Sequence, residues 1–581
     1  MGSLFIARYL NPLTFAIRSR RGFNMIKIAI TQMNSTVADF TGNTKIMIEA
    51  MQEATHENAD LLVFPELAVC GYYPYDLIYE PFFIQQSDLA VLNLLKASNQ
   101  FPSLSCIFGT VRRNNSSGKP FYNTLMVIKN GEIIVEYYKQ LLPTYNVFDE
   151  SRHFEPGPEL PCLITVNNIK IGLMICEDSW NDSEQEYPVN PFKGLIEQNP
   201  ELVIIINASP SNIGKREQRH SIMSNVAKRY QLPLLSVNSV GGQDSLVFDG
   251  ASFAISDTGD VIYEAAQFNA TQEYISFAAK AFNNYSSISQ AISNNELALK
   301  QIILGLRDYA RRCGFKKVVI GLSGGIDSAL TLALAVEALS ADNVIGITMP
   351  SVFSSIGSVT DSAKLCENLG VKLISHPIKE LVAQYSIDFS TAFNKALKGL
   401  TLENLQARIR GTILMEYSNE FAALLLSTGN KSEISIGYCT LYGDTNGGLN
   451  LIGDLYKTEA YSLSRYINTQ AGYDVIPKEI INKEPSAELA PEQRDTDTLP
   501  PYEILDEILK YLIEGKQLSN IEYAHVKNYV TQLDETDPAL VNKVRKMIAH
   551  NEYKRHQAAP IIRLRARAFG NGRQMPITAK Y

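Results

Sequence analysis

The sequence has neither a disulfide nor a metal framework. Its seven cysteines (Cys70, Cys106, Cys162, Cys176, Cys313, Cys366 and Cys439) are odd in number, scattered over 581 residues and never paired as CxxC. That pattern offers neither a zinc ribbon nor a disulfide scaffold, and it suits a reducing cytoplasm. The histidines are equally dispersed, and HExxH is absent. No apolar run reaches the roughly 18 residues that a spanning helix needs, so a soluble chain with no membrane partner is expected. Positive charge is in short supply: 53 Lys and Arg against 61 Asp and Glu leave a net −8. A basic footprint for nucleic acid or an anionic membrane is therefore missing. What is plentiful is apolar material, 45% of residues with only 20% charged. That is a globular composition, long enough for about two to four domains without staples.

Residues 1–24 carry Arg8, Arg18, Arg20 and Arg21 and no acid. They read as an extension ahead of a start at Met25, a transit-like presequence being the alternative. From 25 to 275, short β-branched runs such as IKIAI, DLLVFPE, IKIGLMIC and ELVIIINAS alternate with amphipathic stretches. Fully apolar strands between helices point to sheets covered by helices. Residues 276–294 are Ser/Asn-rich and read as a connection. From 295 to 581 a second alternation begins with ELALKQIILGLRDYARRCG and continues as strand, helix, strand, helix. Parallel crossovers at that spacing make a doubly wound α/β sheet. The stretch 484–507 has eight acids and one arginine and reads as an exposed loop.

Three residues of the first half belong together. Glu66 ends a strand in PELAVCGY, Lys139 opens KQLLPTYNVFDE, and Cys176 closes a strand in ICEDSW. A thiol on a strand-end turn can attack an amide, with a carboxylate to take its proton and a lysine to steady the oxyanion. Singly, each has a plainer reading: a core cysteine, a helix-capping glutamate, a surface lysine. Together and in order they resemble the nitrilase-type amidases, which hydrolyse carbon–nitrogen bonds. The resemblance implies an αββα sandwich, with Glu66 as general base, Lys139 as oxyanion stabiliser and Cys176 as the nucleophile that forms a thioester. It also implies that Tyr145, Ser209 and Lys215 hold glutamine, the last two within NASPSNIGKREQR. Lysine at 215 supplies charge but not the bidentate fork of an arginine.

The second half carries VVIGLSGGIDSALTL, a strand, a glycine-rich turn and a helix. Two glycines let backbone approach a phosphate, and helix N-terminal amides complete an anion nest. GxxxxGK[ST] is absent, so this is not a Walker loop. The word SGGIDS resembles the PP-loop ATP pyrophosphatases, adenine nucleotide α-hydrolase-like domains that adenylate a carbonyl oxygen. Further words, MPSVFSSIGSVTDS, ENLQARIRG, LSTGNKSEISIGYCTLYGD, DLYKTE and EYKRHQAAP, narrow the likeness. Nearly all of residues 26–581 resembles the glutamine-dependent NAD synthetases.

That resemblance assigns ATP to Gly321, Leu322, Ser323, Gly324, Gly325, Ile326, Asp327, Ser328, Thr428 and Lys457. It assigns deamido-NAD to Asn404, Arg408, Glu433 and Lys554, with Ser486 as a further nucleotide contact. Asp327 and Glu433 would take Mg²⁺, a hard cation that prefers carboxylate oxygen. Leu441 stands where ammonia-dependent relatives have lysine, which agrees with the glutamine-dependent branch. The implied enzyme is a carbon–nitrogen ligase that amidates deamido-NAD with glutamine nitrogen, through an adenylated nicotinate. It would be a cytoplasmic homo-oligomer built on a synthetase-domain dimer, up to an octamer. Other PP-loop amidotransferases and a non-catalytic scaffold are the rival readings. The last stretch, 551–581, holds seven Lys/Arg against one acid. Arg563, Arg565 and Arg567 there read either as local charge for anionic substrates or as a solvated tail.

Overall fold

The computed structural model describes residues 25–182, 187–285 and 289–579, so the expected extension lies outside it. One sheet has seven strands, in the spatial order Ala281–Asn283, Thr271–Ala278, Met25–Gln32, Leu61–Val63, Ser105–Arg113, Phe121–Lys129 and Glu132–Tyr138. A second has six, in the order Val261–Glu264, Phe253–Ile255, Leu234–Asn238, Leu202–Asn207, Ile169–Ile175 and Cys162–Val166. Side chains alternate across each strand, and this builds the layers. Leu202, Ile204 and Ile206 join Ile26, Ile28 and Ile30 between the sheets. Val203 and Ile205 turn the other way, onto Met223, Val226 and Ala227 of the helix Lys215–Tyr230. Met47, Met51 and Leu94, from the helices Phe40–His56 and Pro81–Ser98, cover the outer face of the first sheet. The inner strands are buried on both faces, so they read as unbroken apolar runs. The result is an αββα sandwich.

The second domain has five parallel strands, ordered Lys372–Ser375, Val344–Thr348, Lys317–Leu322, Ala423–Ser427 and Leu449–Asn450. The chain builds outward to one side of Lys317–Leu322 and then returns to the other. The reversal opens a crevice at the carboxyl end of that central strand, where doubly wound sheets take ligands. Among the described residues, no helix is long and apolar enough to cross a membrane.

Three expectations change. The stretch 276–294 is not all connection: Ser276–Ala278 finishes one strand and Ala281–Asn283 pairs back onto it. Phe277 and Phe282 pack with ring centroids 5.1 Å apart, and polar neighbours on this edge hairpin mask the alternation. The acidic stretch 484–507 is not simply exposed loop. It holds the turn Asp495–Asp497 and the start of the helix Tyr502–Leu509, with Asp495 and Asp506 buried. Donors make that burial tolerable: the Tyr502 hydroxyl reaches Asp495 at 2.8 Å and the Thr458 amide reaches Asp506 at 2.9 Å.

The third change concerns the tail, which is not solvated at Arg563 and Arg565, both 4% exposed. It runs as a strap between the domains. On one side the Arg563 amide donates to Ser245 O, Ile213 donates to Leu564 O, and the Asn146 side chain donates to Ala566 O. On the other, the Leu564 and Arg565 amides donate to Asp454 at 2.7 and 2.8 Å.

Candidate active sites

Glu66 lies just beyond the strand Leu61–Val63, Lys139 just beyond Glu132–Tyr138, and Cys176 just beyond Ile169–Ile175. The first two strands belong to one sheet and the third to the other, so the site forms where the sandwich halves meet. Lys139 Nζ donates to Glu66 Oε1 at 2.7 Å and to Glu150 Oε1 at 2.8 Å, all three side chains being buried. The Ala208 amide holds the other Glu66 oxygen at 2.9 Å. Asn123 donates to Glu66 at 2.8 Å and to Glu150 at 3.3 Å, and the Tyr72 hydroxyl donates to Glu150 at 2.8 Å. Gly109 permits this packing, since any side chain there would overlap the Glu66–Leu67 backbone.

Cys176 has φ +42°, a left-handed kink that is strained for any side chain but glycine. Burial pushes its thiol pKa well above the ordinary value, Glu66 adds to the rise and Lys139 opposes it. The resting sulfur is thus a neutral thiol that needs a base at the moment of attack. Burial works against the Lys139 charge, but Glu150 and Glu66 outweigh it and hold the ammonium firmly protonated. Glu150 is pushed up to about 7 by burial, with Lys139 pulling down and Glu66 pushing up.

Beside this cluster, the Tyr145 and Tyr187 hydroxyls donate to buried Glu177 at 3.1 and 3.0 Å. Burial raises the Glu177 pKa. Lys215 Nζ stands 4.0 Å from the centre of the Trp180 ring. Burial, then the neighbouring Arg219, lower its pKa to about 8. Tyr145 and Lys215 both lie within electrostatic reach of Cys176. Ser209 follows the amide that holds Glu66, and its own N–H donates to Asn238 at 2.9 Å.

In the second domain Gly321 and Leu322 end the central strand, Ser323–Gly325 turn, and Ile326, Asp327 and Ser328 open the helix Ile326–Leu339. Gly324 has φ +75°, and a Cβ there would meet Ser358 O at 2.5 Å. Lys457 Nζ donates to Asp327 at 2.5 Å and to Glu433 at 3.3 Å, and Asn430 donates to Asp327 at 3.1 Å. Burial opposes the Lys457 charge, but Asp327 and Glu433 outweigh it and raise its pKa. Glu433 rises to about 8, through burial first, with Lys457 opposing and Asp327 adding. Thr428 follows the neighbouring strand Ala423–Ser427.

The other expected dinucleotide residues gather on one segment, residues 437–441. Asn404 accepts from the Thr440 hydroxyl at 2.8 Å, and Arg408 donates to Leu441 O at 3.2 Å. Lys554 donates to Gly437 O and Cys439 O at 2.7 and 2.9 Å. Ser486 is engaged within its own loop, with Gln493 O. Among the described residues no group of three or more His, Cys, Asp or Glu forms a metal cage. Asp327 and Glu433 are a two-carboxylate set of the kind Mg²⁺ uses when substrate phosphates complete its shell.

Two family models match the chain: carbon-nitrogen hydrolase over residues 27–280 and NAD synthase over residues 298–558. The chain is 41% identical over 567 residues to the glutamine-dependent NAD(+) synthetase of Synechocystis sp., an overlap spanning 96% of this chain and 99% of that one. The chain belongs to the glutamine-dependent NAD(+) synthetases. The relative from Thermotoga maritima is 39% identical, over 96% of this chain and 99% of its own. The structure of the glutamine-dependent NAD+ synthetase from Acinetobacter baumannii in complex with ADP has a TM-score of 0.75 at 35% identity. It covers 95% of this chain and 98% of its own. The Cytophaga hutchinsonii glutamine-dependent NAD(+) synthetase shares the fold, with a TM-score of 0.79 at 21% identity over 96% of this chain and 98% of its own.

In the synthetase fold, several residues stand at the two sites that sequence reasoning passed over. Glu150 and Glu177 are the chief ones, with Asn123 beside Glu150 and, at the second site, Asn430 beside Asp327. Glu150 lies inside the word NVFDE and Glu177 directly follows Cys176. For Glu177 the adjacent nucleophile was the available signal.

Proposed function

We propose that this chain makes NAD from deamido-NAD, ATP and glutamine, using the two sites in turn. Glu66 takes the Cys176 proton as sulfur attacks the side-chain amide carbon of glutamine. Lys139, kept charged by Glu150 and Glu66, steadies the oxyanion. The carbon–nitrogen bond breaks, the nitrogen leaves as ammonia with the proton from Glu66, and water then frees glutamate from the thioester. Glu177, braced by Tyr145 and Tyr187, would accept the substrate α-ammonium, while Lys215 and Ser209 would meet its α-carboxylate.

At the second site the nicotinate carboxylate attacks the α-phosphorus of ATP, and pyrophosphate leaves into the Ser323–Ser328 nest. Ammonia then displaces AMP to give the carboxamide. Asn404, Arg408 and Lys554 would hold the dinucleotide once substrate replaces their backbone partners. Asp327 and Glu433 would hold Mg²⁺, which supplies charge neutralisation for the phosphates. Lys457, which bridges these carboxylates at 2.5 and 3.3 Å, would give them up to the metal and turn its ammonium to the phosphates.

A homo-oligomer assembled through the synthetase domains, up to an octamer, belongs to the same proposal. Its support is the helix Lys379–Phe393, which buries no residue within the chain and exposes Leu381, Tyr385, Ile387 and Phe393. A cytoplasmic setting suits the seven cysteines, all of which stand free.

The observation that carries the reading is the pairing in one chain of the buried Glu66–Lys139–Glu150 cluster beside Cys176 with the Asp327–Lys457–Glu433 cluster beside a phosphate loop. The test is NAD formation from deamido-NAD with glutamine or ammonium as donor. Cys176→Ala should abolish the glutamine-driven reaction and spare the ammonium-driven one. Glutamine-driven synthesis by Cys176→Ala would overturn the assignment of the nucleophile.

A further inference from the structure

The turn after Cys176 holds a carboxylate that the chemistry above does not use. Asp178 is 1% exposed and accepts four hydrogen bonds. The Tyr137 hydroxyl donates at 2.8 Å, the Gln140 amide at 3.0 Å, the Leu141 amide at 2.8 Å and the Ile175 amide at 3.3 Å. Three of these donors flank Lys139 on both sides in sequence, and the fourth immediately precedes Cys176. The strand leading to Lys139 is the edge of one sheet, and the strand leading to Cys176 lies in the other. One carboxylate therefore ties the two halves of the sandwich at the point where lysine and thiol meet. An ionised carboxylate suits this place because it accepts at both oxygens and donates nothing. Burial pushes the Asp178 pKa up to about 6, while the Leu141 amide, Lys139, the Tyr137 hydroxyl and the Gln140 amide pull it back. It is thus ionised at neutral pH.

We propose that Asp178 is a positioning residue for glutamine hydrolysis, fixing the segment that carries Lys139 against the turn that carries Cys176. The inference rests on the reading of Cys176 as nucleophile. Asp178→Asn keeps an oxygen for the Gln140 and Leu141 amides but sets an NH₂ group against the Ile175 N–H. Asp178→Ala removes every link.

The test measures NAD formation by the full chain with glutamine and with ammonium, together with the pH dependence of Cys176 alkylation by iodoacetamide. For Asp178→Asn, kcat with glutamine should fall about 100-fold, the scale for a reacting group displaced by about 1 Å. Asp178→Ala should fall further. KM for glutamine and the ammonium-driven kcat should stay as in the parent. The alkylation midpoint should move to higher pH, because the Lys139 charge no longer sits squarely beside the thiol. Loss of a nearby negative charge alone would move it to lower pH, and that result would overturn positioning. So would a parent-like kcat with glutamine, or equal loss of both activities.

Should both Asp178 variants fail to fold, Tyr137→Phe removes one of the four bonds. It should lower the glutamine-driven kcat by about tenfold, as expected for one hydrogen bond to a charged acceptor, and spare the ammonium reaction. A parent-like Tyr137→Phe would then refute the role. Cys176→Ala keeps the two readings apart: if it retains glutaminase activity the nucleophile is wrong, whereas an inactive Cys176→Ala beside a fully active Asp178→Asn defeats this inference alone.

Discussion

Replacing Glu150 by glutamine tests how the amidase site holds its charge. The carboxylate sits 2.8 Å from Lys139 Nζ and also takes hydrogen bonds from Tyr72 and Asn123. Two effects of Glu150→Gln act in the same direction. The ion pair with Lys139 becomes a hydrogen bond from the ammonium to a neutral amide oxygen, a loss on the scale of a contact to a charged group, about 1.5–3 kcal/mol. The full Lys139 charge then falls on Glu66, which makes Glu66 a weaker base for the thiol. An amide NH₂ placed at either oxygen would also confront a donor, Asn123 on one side or Tyr72 and Lys139 on the other. At about 1.4 kcal/mol per tenfold, kcat for glutamine hydrolysis should drop by roughly 10- to 150-fold.

The assay is glutamate release alongside NAD formed from glutamine and from ammonium, and the ammonium reaction should not move. A pH series adds an independent check. With Glu150 titrating at about 7, acidification through that range neutralises it in the parent and mimics the substitution. The parent rate should therefore fall as pH drops below about 7, on top of any other titration, and Glu150→Gln should lack that step. An unchanged glutaminase rate, or equal loss with ammonium, would refute the reasoning.

Lys215 titrates at about 8, so it is charged below that pH and neutral above it. KM for glutamine should rise as pH climbs through about 8, and Lys215→Arg should flatten the rise; a flat profile in the parent would argue against a carboxylate contact. Gly324→Ala forces a side chain into φ +75° and to 2.5 Å from Ser358 O, beyond the roughly 1–2 kcal/mol of the left-handed region itself. Synthesis with either donor should collapse while glutamine hydrolysis persists, and retained ATP affinity by calorimetry would contradict the phosphate-nest assignment. Deamido-NAD carrying ¹⁸O in its carboxylate should pass one labelled oxygen to AMP; ADP, or unlabelled AMP, would exclude adenylation.

The parts of the molecule legible in the sequence are those where local chemistry and local pattern coincide. SGGIDS reads directly because strand, turn and helix are contiguous, and Glu66, Lys139 and Cys176 each stand at the end of a strand-like run. Glu150 was harder: its partners Asn123 and Tyr72 lie 27 and 78 residues away in sequence, and its own helix, Glu150–His153, is a single turn. Asp178 was harder still, because in sequence it is only a polar residue on a turn. Its meaning comes from amides 37 and 38 residues upstream. The hairpin at 276–283 was hidden because an edge strand needs only alternate apolar residues, here Phe277 and Phe282. Arg563 and Arg565 look like a basic tail until the carbonyls and carboxylates that surround them are in place.

The strap also bears on how the protein emerges from the ribosome. Asn146, beside Tyr145, is tied to Ala566 across 420 residues, and Ile213, two residues before Lys215, is tied to Leu564. An N-terminal domain generally folds while the rest is still being made, so the sandwich takes shape long before these partners exist. The braces next to the proposed glutamine pocket arrive only with the final stretch of chain, after the phosphate loop has been synthesised. A nascent or truncated chain therefore presents its thiol in a pocket with unfinished walls. With Tyr145 and Lys215 in their proposed roles, a chain cut before Leu564 should hydrolyse glutamine more slowly than the full chain, and an equal rate of glutamate release would show that the strap does not brace the site.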